Sequence, residues 1–491
     1  MIGTDQTPFP QTAPQTANQG THQGAPGVNQ GAPLALSGYV HRAHINPQVT
    51  GLYHPFGHEI AFIPADLEAP LDQGHWSACP APIVEDLVRR GFIVPEGTDA
   101  ARLASVAVPP MRGFFSLWLL VVQSCNMACR YCVVEAEEQT RQAAETAKRG
   151  EAGTRMTPEI ADRAIALFGA SLARHRQPIA KTTIYGGEPL LNRPVIAHAL
   201  PRLRALAWEG QTHTMEILCV TNGLIYDPVL TDLFRTHDVT VGLSLDGLKR
   251  HNDAARPRLD GGGTFDRIVE SLKRYQDAGL RIGLSCTIGQ HNKDDLPEIA
   301  AFFTDELGIK GFQLQSPIDV PGARNPLYVR MGDAARAAWE AFKVIRDRGG
   351  EEGLAMRRLV PFMHGRFHHR DCAAVGGELV VSPDGTLGPC HNATRGGEQY
   401  FRGNVLDDDC SPEGQANFAE WHARMPVNMP GCHGCPAIGL CGGGCAYNAL
   451  VTKGSIWEKD PQQCHYMSAL LDLLLEDCWE RYVRTRTAHA A

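Results

Sequence analysis

Between residues 111 and 330, short apolar runs alternate with longer stretches of helical spacing. Strand-like runs rich in Leu, Val, Ile and Thr occupy 116–122, 182–185, 216–220, 240–245, 283–288 and 311–315. Apolar residues three and four apart mark helices between them, among others at 160–172, 266–278 and 296–307. Six strands each followed by a helix predict an α/β fold, with a parallel sheet carrying helices outside as a partial (β/α)6 TIM-like barrel. Sites in such barrels gather at the C-terminal ends of the strands. The residues just after each strand are therefore the first candidates for chemistry.

The flanks read differently. Residues 1–37 are Gln, Pro, Gly, Thr and Ala with few large apolar groups. They bury too little surface to offset ordering entropy and are expected as a disordered tail. Residues 38–110 read as a small domain with a strand at 59–63, a helix at 83–88 and a second strand after Gly91. A charged, Ala-rich insertion at 133–156 is expected as an exposed helix or loop. Residues 331–371 read as a helical linker, 372–470 as a cysteine-rich domain and 471–491 as a C-terminal helix.

A formal net charge of −8 over 491 residues argues against a partner gripped through nucleic-acid phosphates. The first residues show no basic n-region followed by an apolar h-region, and no apolar run reaches the roughly 18 residues that span a bilayer. The expectation is a cytoplasmic protein with neither nucleic acid nor membrane as partner. In that reducing setting, fifteen cysteines read as metal ligands or redox centres before disulfides.

Three of them sit in the run Ser124-Cys125-Asn126-Met127-Ala128-Cys129-Arg130-Tyr131-Cys132. Cys125, Cys129 and Cys132 can hold three irons of a [4Fe–4S] cube and leave the fourth iron to another ligand. A zinc site or buried structural cysteines are the alternatives, although structural zinc prefers four closed ligands in two pairs. The C-x3-C-x2-C spacing, with an aromatic before the last Cys, resembles the radical S-adenosylmethionine (SAM) enzymes. In that superfamily SAM occupies the open iron, and the cube's electron releases a 5′-deoxyadenosyl radical. Gly186-Gly187-Glu188-Pro189 ends the second strand, where glycines admit a close ligand and Glu188 can accept from an ammonium or fix the loop. The resemblance implies SAM contacts at Gly186, Gly187 and Glu188, at Asn222 in Thr221-Asn222-Gly223, and at Ser244 and Asp246 in Ser244-Leu245-Asp246-Gly247. Asp246 equally suits a loop cap. Tyr131 is implied near the adenine.

A second set follows: Cys372, Gly385, Cys390, Cys432, Cys435, Cys441, Cys445 and Cys464, with C-x12-G-x4-C and C-x2-C-x5-C-x3-C spacing. The pattern resembles the SPASM extension of radical SAM enzymes that modify peptides and proteins. Seven thiols do not divide into zinc sites of four. The resemblance implies an outer auxiliary cube on Cys432, Cys435, Cys441 and Cys464, and an inner one on Cys372, Cys390 and Cys445. Three [4Fe–4S] clusters and SAM are the cofactors so implied. Some relatives add an inner ligand from a cysteine just before the first of the seven. Here that stretch reads Met363-His364-Gly365-Arg366-Phe367-His368-His369-Arg370-Asp371, so a histidine ligates or one iron stays open. The open iron is favoured, because histidine is an uncommon cluster ligand.

Cys79, Cys219, Cys286, Cys410 and Cys478 lack ligand spacing, and Cys219 and Cys286 fall inside strands. The expected function is a maturase that joins side chains of a ribosomally made precursor peptide through a C–C or C–S bond. The electron left over goes to an auxiliary cube, and the reducing electrons come from an external donor such as flavodoxin or ferredoxin. Residues 38–110 faintly resemble leader-binding winged-helix modules, with a purely structural cap as the alternative. A second expectation is oxidation or thioether linking of a residue in a larger protein, as in anaerobic sulfatase or amine-dehydrogenase maturation. Sulfatase maturases carry an aspartate base directly after the second SPASM cysteine, where this chain has His391. A non-catalytic electron carrier would need no SAM pocket.

Overall fold

A computed structural model describes residues 33–132, 155–208, 212–318 and 325–490. At the N-terminal end, β1 (Leu34–Leu36), β2 (His41–Asn46), β3 (Val49–His54), β4 (Glu59–Pro64) and β5 (Ile93–Pro95) form two small sheets. Strands β2, β3 and β4 are antiparallel neighbours, and β1 pairs with β5, Leu36 opposite Ile93. This corrects the expected tail, because Leu34–Leu36 finds backbone partners in β5. Residues 1–32 of that tail lie outside the described residues. The helix expected at 83–88 is Ala81–Arg89. Strand β3 is covered on both faces: Leu52 packs with Leu87 and Phe92, while Tyr53 packs with Leu471 and Leu474 of the C-terminal helix.

Strands β6 (Ser116–Val122), β7 (Ile179–Gly186), β8 (Thr214–Thr221), β9 (Val239–Ser244), β10 (Ile282–Thr287) and β11 (Gly311–Gln315) lie side by side in chain order, all parallel. These are the six expected strands. Helices Pro158–His175, Arg193–Trp208, Pro228–Thr236 and Phe265–Asp277 cover the outside. Thr157 accepts from Ile160 N and Pro158 fills the first helical position, an ordinary helix start. The helix expected at 296–307 is α-helical over Leu296–Ala301 and then π-helical over Phe302–Glu306.

The sheet is wider than six strands. Beyond β11 lies β12 (Glu351–Glu352), and beyond β6 lie β13 (Glu378–Val381) and antiparallel β14 (Leu387–Gly388). The first came from the expected linker and the other two from the cysteine-rich domain, so that domain is stitched into the barrel sheet. The reason is edge burial: Glu378-Leu379-Val380-Val381 is buried at every position and pairs the otherwise open edge of β6. The linker itself carries helices Met331–Asp347 and Gly353–Met363. The last helix, Pro461–Ala490, begins ten residues before the expected 471. Asp460 Oδ1 accepts from the backbone N–H groups of Gln462 and Gln463 and starts it. Cys464 therefore sits in its first turn. Among the described residues no helix is long and apolar enough to cross a membrane.

Candidate functional site

The cysteine loop leaves β6 and is fastened to the segment after helix Lys249–Ala255. Ala128 N donates to Pro257 O at 2.9 Å and Arg130 N to Ala255 O at 3.0 Å. Burial pushes the Cys125 thiol up to about 12, with Glu188, Cys129 and Cys132 adding to it. Burial likewise pushes Cys129 up to about 11, opposed by Arg256 and reinforced by Cys132 and Asp246. Three thiols thus stand within electrostatic reach of one another at the mouth of the barrel, beside a cation. This soft donor set fits an iron–sulfur cube. No three His, Cys, Asp or Glu side chains among the described residues converge tightly enough for a single metal ion.

Asn222 ties the loop to β8: its Nδ2 donates to Asn126 Oδ1 at 2.7 Å and to Cys125 Sγ at 3.5 Å. Its Oδ1 accepts from Leu224 N at 3.0 Å. Asn222 therefore positions Cys125. Glu188 acts the same way. Its carboxylate is fully buried, accepting at Oε1 from Thr221 Oγ1 (2.8 Å) and Leu190 N (3.1 Å), and at Oε2 from Asn222 N (2.8 Å). Of its two sequence readings, these bonds give Glu188 the loop-fixing role. Gly186 and Gly187 are required by the chain itself. A Cβ on Gly186, at φ +155°, would stand 2.2 Å from Val122 O, and one on Gly187 would stand 2.4 Å from both Gln123 O and Ser124 O. Both glycines nevertheless line the cavity described below.

Asp246, also fully buried, takes its partners from outside its own loop. Oδ1 accepts from Thr287 N at 3.0 Å and Oδ2 from the Tyr131 hydroxyl at 2.7 Å. Arg256 NH1 donates to the same hydroxyl at 2.6 Å. This chain of Asp246, Tyr131 and Arg256 locks the last cysteine of the loop against β9 and β10. Ser244 stands half-buried at the end of β9, beside Ser285 of β10. Arg256, Asn126 and Thr287 escaped sequence reading because nothing local marks them; only strand adjacency brings them to the site.

A cavity of about 240 Å³ opens between the ends of β6 and β7 and the loop that carries Ser382 to Phe401. Leu120, Tyr185 and Gly187 line one wall and His391 and Thr394 the other. The His391 ring lies flat on Trp118, centroids 3.8 Å apart, and meets Tyr185 edge-on at 5.5 Å. Tyr185 in turn feels Cys132, Cys125 and Cys129. The space therefore lies between the strand ends that precede the cysteine triplet and the loop that follows Cys390. Trp118 and Tyr185 read only as strand residues in the sequence.

The seven C-terminal cysteines fall into two groups. The Cys390 thiol is raised first by burial and then by Cys445, Glu378 and Cys372. Cys372 is pushed up to about 12 by burial, Asp371 and Glu378, and Cys445 feels Asp460 and Cys372. In the other group, Cys432 is pushed up to about 11 by burial, Cys435 and Cys464. Cys441 feels Cys464 and Cys435 as well as Asp371. Three consecutive glycines, Gly442 to Gly444, take φ of +67°, +87° and +70° and carry the chain from one group to the other. Arg424, wholly buried, donates to the carbonyls of Gly444 (2.9 Å), Ile456 and Glu458. Asp460 Oδ2 accepts from Cys445 N at 3.0 Å. His368 packs on the turn at Gly442, and burial pushes its ring down to about 4. None of the fifteen cysteines forms a disulfide, and Cys219 and Cys286 are buried within β8 and β10.

A model of the radical SAM superfamily matches residues 119–303. The chain is 22% identical over 369 residues to the radical SAM cyclopropyl synthase TigE of Paramaledivibacter caminithermalis, covering 74% of each chain. It is 27% identical over 377 residues to the Fe-coproporphyrin III synthase of Methanosarcina barkeri, covering 70% of this chain and 85% of that one. Its fold is similar to that of anSMEcpe with bound AdoMet, with TM-score 0.60, 16% identity, and 75% and 98% of the two chains covered. It is similar also to Streptococcus suis SuiB bound to its precursor peptide SuiA, with TM-score 0.51, 14% identity, and 88% and 99% covered. The matched segment holds the cysteine triplet, the Gly186–Pro189 turn and the ends of β6 to β10, so residues 119–303 carry a radical SAM domain.

Proposed function

We propose that the chain is a SPASM-type maturase that closes a C–C or C–S bond within a ribosomally made precursor peptide. The observation that carries this reading is the cavity between the barrel strand ends and the loop after Cys390, with Tyr185 and Gly187 on one wall and His391 on the other. Cys125, Cys129 and Cys132 would hold the first cube, and SAM bound beside it supplies a 5′-deoxyadenosyl radical for hydrogen abstraction. The chain's own part is positional. Asn222 and Glu188 hold the cysteine loop to β8, and the Asp246–Tyr131–Arg256 chain holds it to β9 and β10. His391, which lines the cavity, is held flat against Trp118.

Support comes also from a relative named for cyclopropyl synthesis and from a fold neighbour solved with a precursor peptide. Residues 38–110 would grip the leader, with β2 and β4 as the edge strands of their sheet. The reducing electrons would come from a flavodoxin or ferredoxin in the cytoplasm. The test is mass spectrometry of a co-expressed precursor: loss of two hydrogens from the core peptide is expected. Unchanged precursor together with conversion of an iron porphyrin, the chemistry in the archaeal relative's name, would overturn the peptide reading.

A further inference from the structure

Three cubes present about twelve irons. Ten cysteines and SAM account for eleven, and the inner auxiliary group, Cys372, Cys390 and Cys445, is the one left short. Several side chains near it are already engaged. Asp460 accepts from Cys445 N, Gln462 N and Gln463 N. Asp371 accepts from Arg358 at 2.7 Å. The His368 ring lies over Gly442. Glu378 is different. It is 6% exposed, and its Oε1 is buried with no hydrogen-bond partner. An orphaned buried carboxylate oxygen carries a large desolvation cost unless something cationic meets it.

Its place in the sheet says what that is. In the β13–β14 hairpin Val381 pairs with Leu387 and Val380 with Gly388. Continuing this register by two residues sets Glu378 opposite Cys390, whose backbone is still extended at φ −145°, ψ 128°. Directly opposed residues share a face. Both Cys390 and Cys372 feel the Glu378 charge. His391 Nδ1 stands 3.7 Å from Glu378 Oε1, too far for a hydrogen bond, on a ring clamped against Trp118. We propose that the Glu378 carboxylate is the fourth protein ligand of the inner auxiliary cube. The inner cube is then closed to substrate and serves electron transfer, and β13 couples it rigidly to β6. This rests on the three-cube reading above.

The test uses the full chain with Cys125, Cys129 and Cys132 changed to Ala, so that only auxiliary clusters contribute. The parent should reconstitute with about eight irons, and its electron paramagnetic resonance should ignore added imidazole. Glu378→Gln, which keeps the volume, and Glu378→Ala should each lose one iron on mild oxidation and give a three-iron signal. Both should respond to imidazole and reduce at a more positive potential, because one negative charge has left the cluster. An unchanged outer-cube spectrum verifies folding. Imidazole binding to the parent overturns the proposal without any variant. So does Glu378→Gln behaving as the parent while His391→Gln loses the iron. A parent with about four irons overturns the three-cube reading and this ligand with it, which sets the two failures apart.

Discussion

The two cysteine regions are built on opposite principles. At the barrel mouth, the carboxylates of Glu188 and Asp246 and the amide of Asn222 are saturated with hydrogen bonds from four different strand ends. The loop of Cys125, Cys129 and Cys132 is held in place by the protein alone. In the C-terminal domain, buried polar atoms without partners are more numerous than at the barrel mouth, where Arg256 Nε is one: Glu378 Oε1, His391 Nδ1, Trp421 Nε1 and Asn448 Oδ1 among them. Its elements between residues 391 and 460 are 3-10 turns and helices of eight residues or fewer. The barrel mouth is preorganised for a cofactor, whereas on the proposed reading the C-terminal domain gains part of its stability from the clusters it would hold.

The largest effect should come from the triplet. Changing Cys125, Cys129 and Cys132 to Ala should abolish release of 5′-deoxyadenosine from SAM and reductant while leaving the circular dichroism of the sheet intact. Removing all clusters with a chelator should next separate the two regions. Hydrogen exchange should then lose protection over 430–464 and retain it in β6 to β10. Equal loss in both regions would break the contrast.

Asn222→Ala should give an intermediate effect, roughly 10–100-fold slower 5′-deoxyadenosine release, the usual cost of removing a group that orients a metal ligand. Occupancy of the auxiliary cubes should be untouched. The smallest effect concerns acid. Burial holds the folded His368 ring down to about 4, so the unfolded chain takes up its proton first as pH falls. Its contribution is present above the ordinary histidine value of about 6.5 and is lost between there and about pH 4. His368→Gln should flatten that part of the pH dependence of protection at 364–445, with no change in the barrel.

The six barrel strands and both cysteine patterns were legible because each is local: apolar runs of strand length, and ligands at fixed spacing. Glu188 and Asp246 were legible as important, but their hydrogen-bond partners were not. A sequence shows a carboxylate at a strand end, but which donors saturate it depends on the neighbouring strands, Thr221 in one case and Tyr131 in the other. Leu34–Leu36 and Glu378–Val381 escaped for the same reason, since a short strand exists only when a distant edge completes it. Glu378 lies six residues past Cys372 with no motif around it, and only the hairpin register turns it toward Cys390.

The central claim is that the chain carries one cube at the barrel mouth and two in the C-terminal domain. Iron and sulfide counted on anaerobically reconstituted full-length protein test it most directly. About twelve of each per chain are predicted, falling to about eight when Cys432 and Cys435 are changed to Ala and to about eight when Cys372 and Cys390 are. About four in all three proteins, or metal without sulfide, would contradict it.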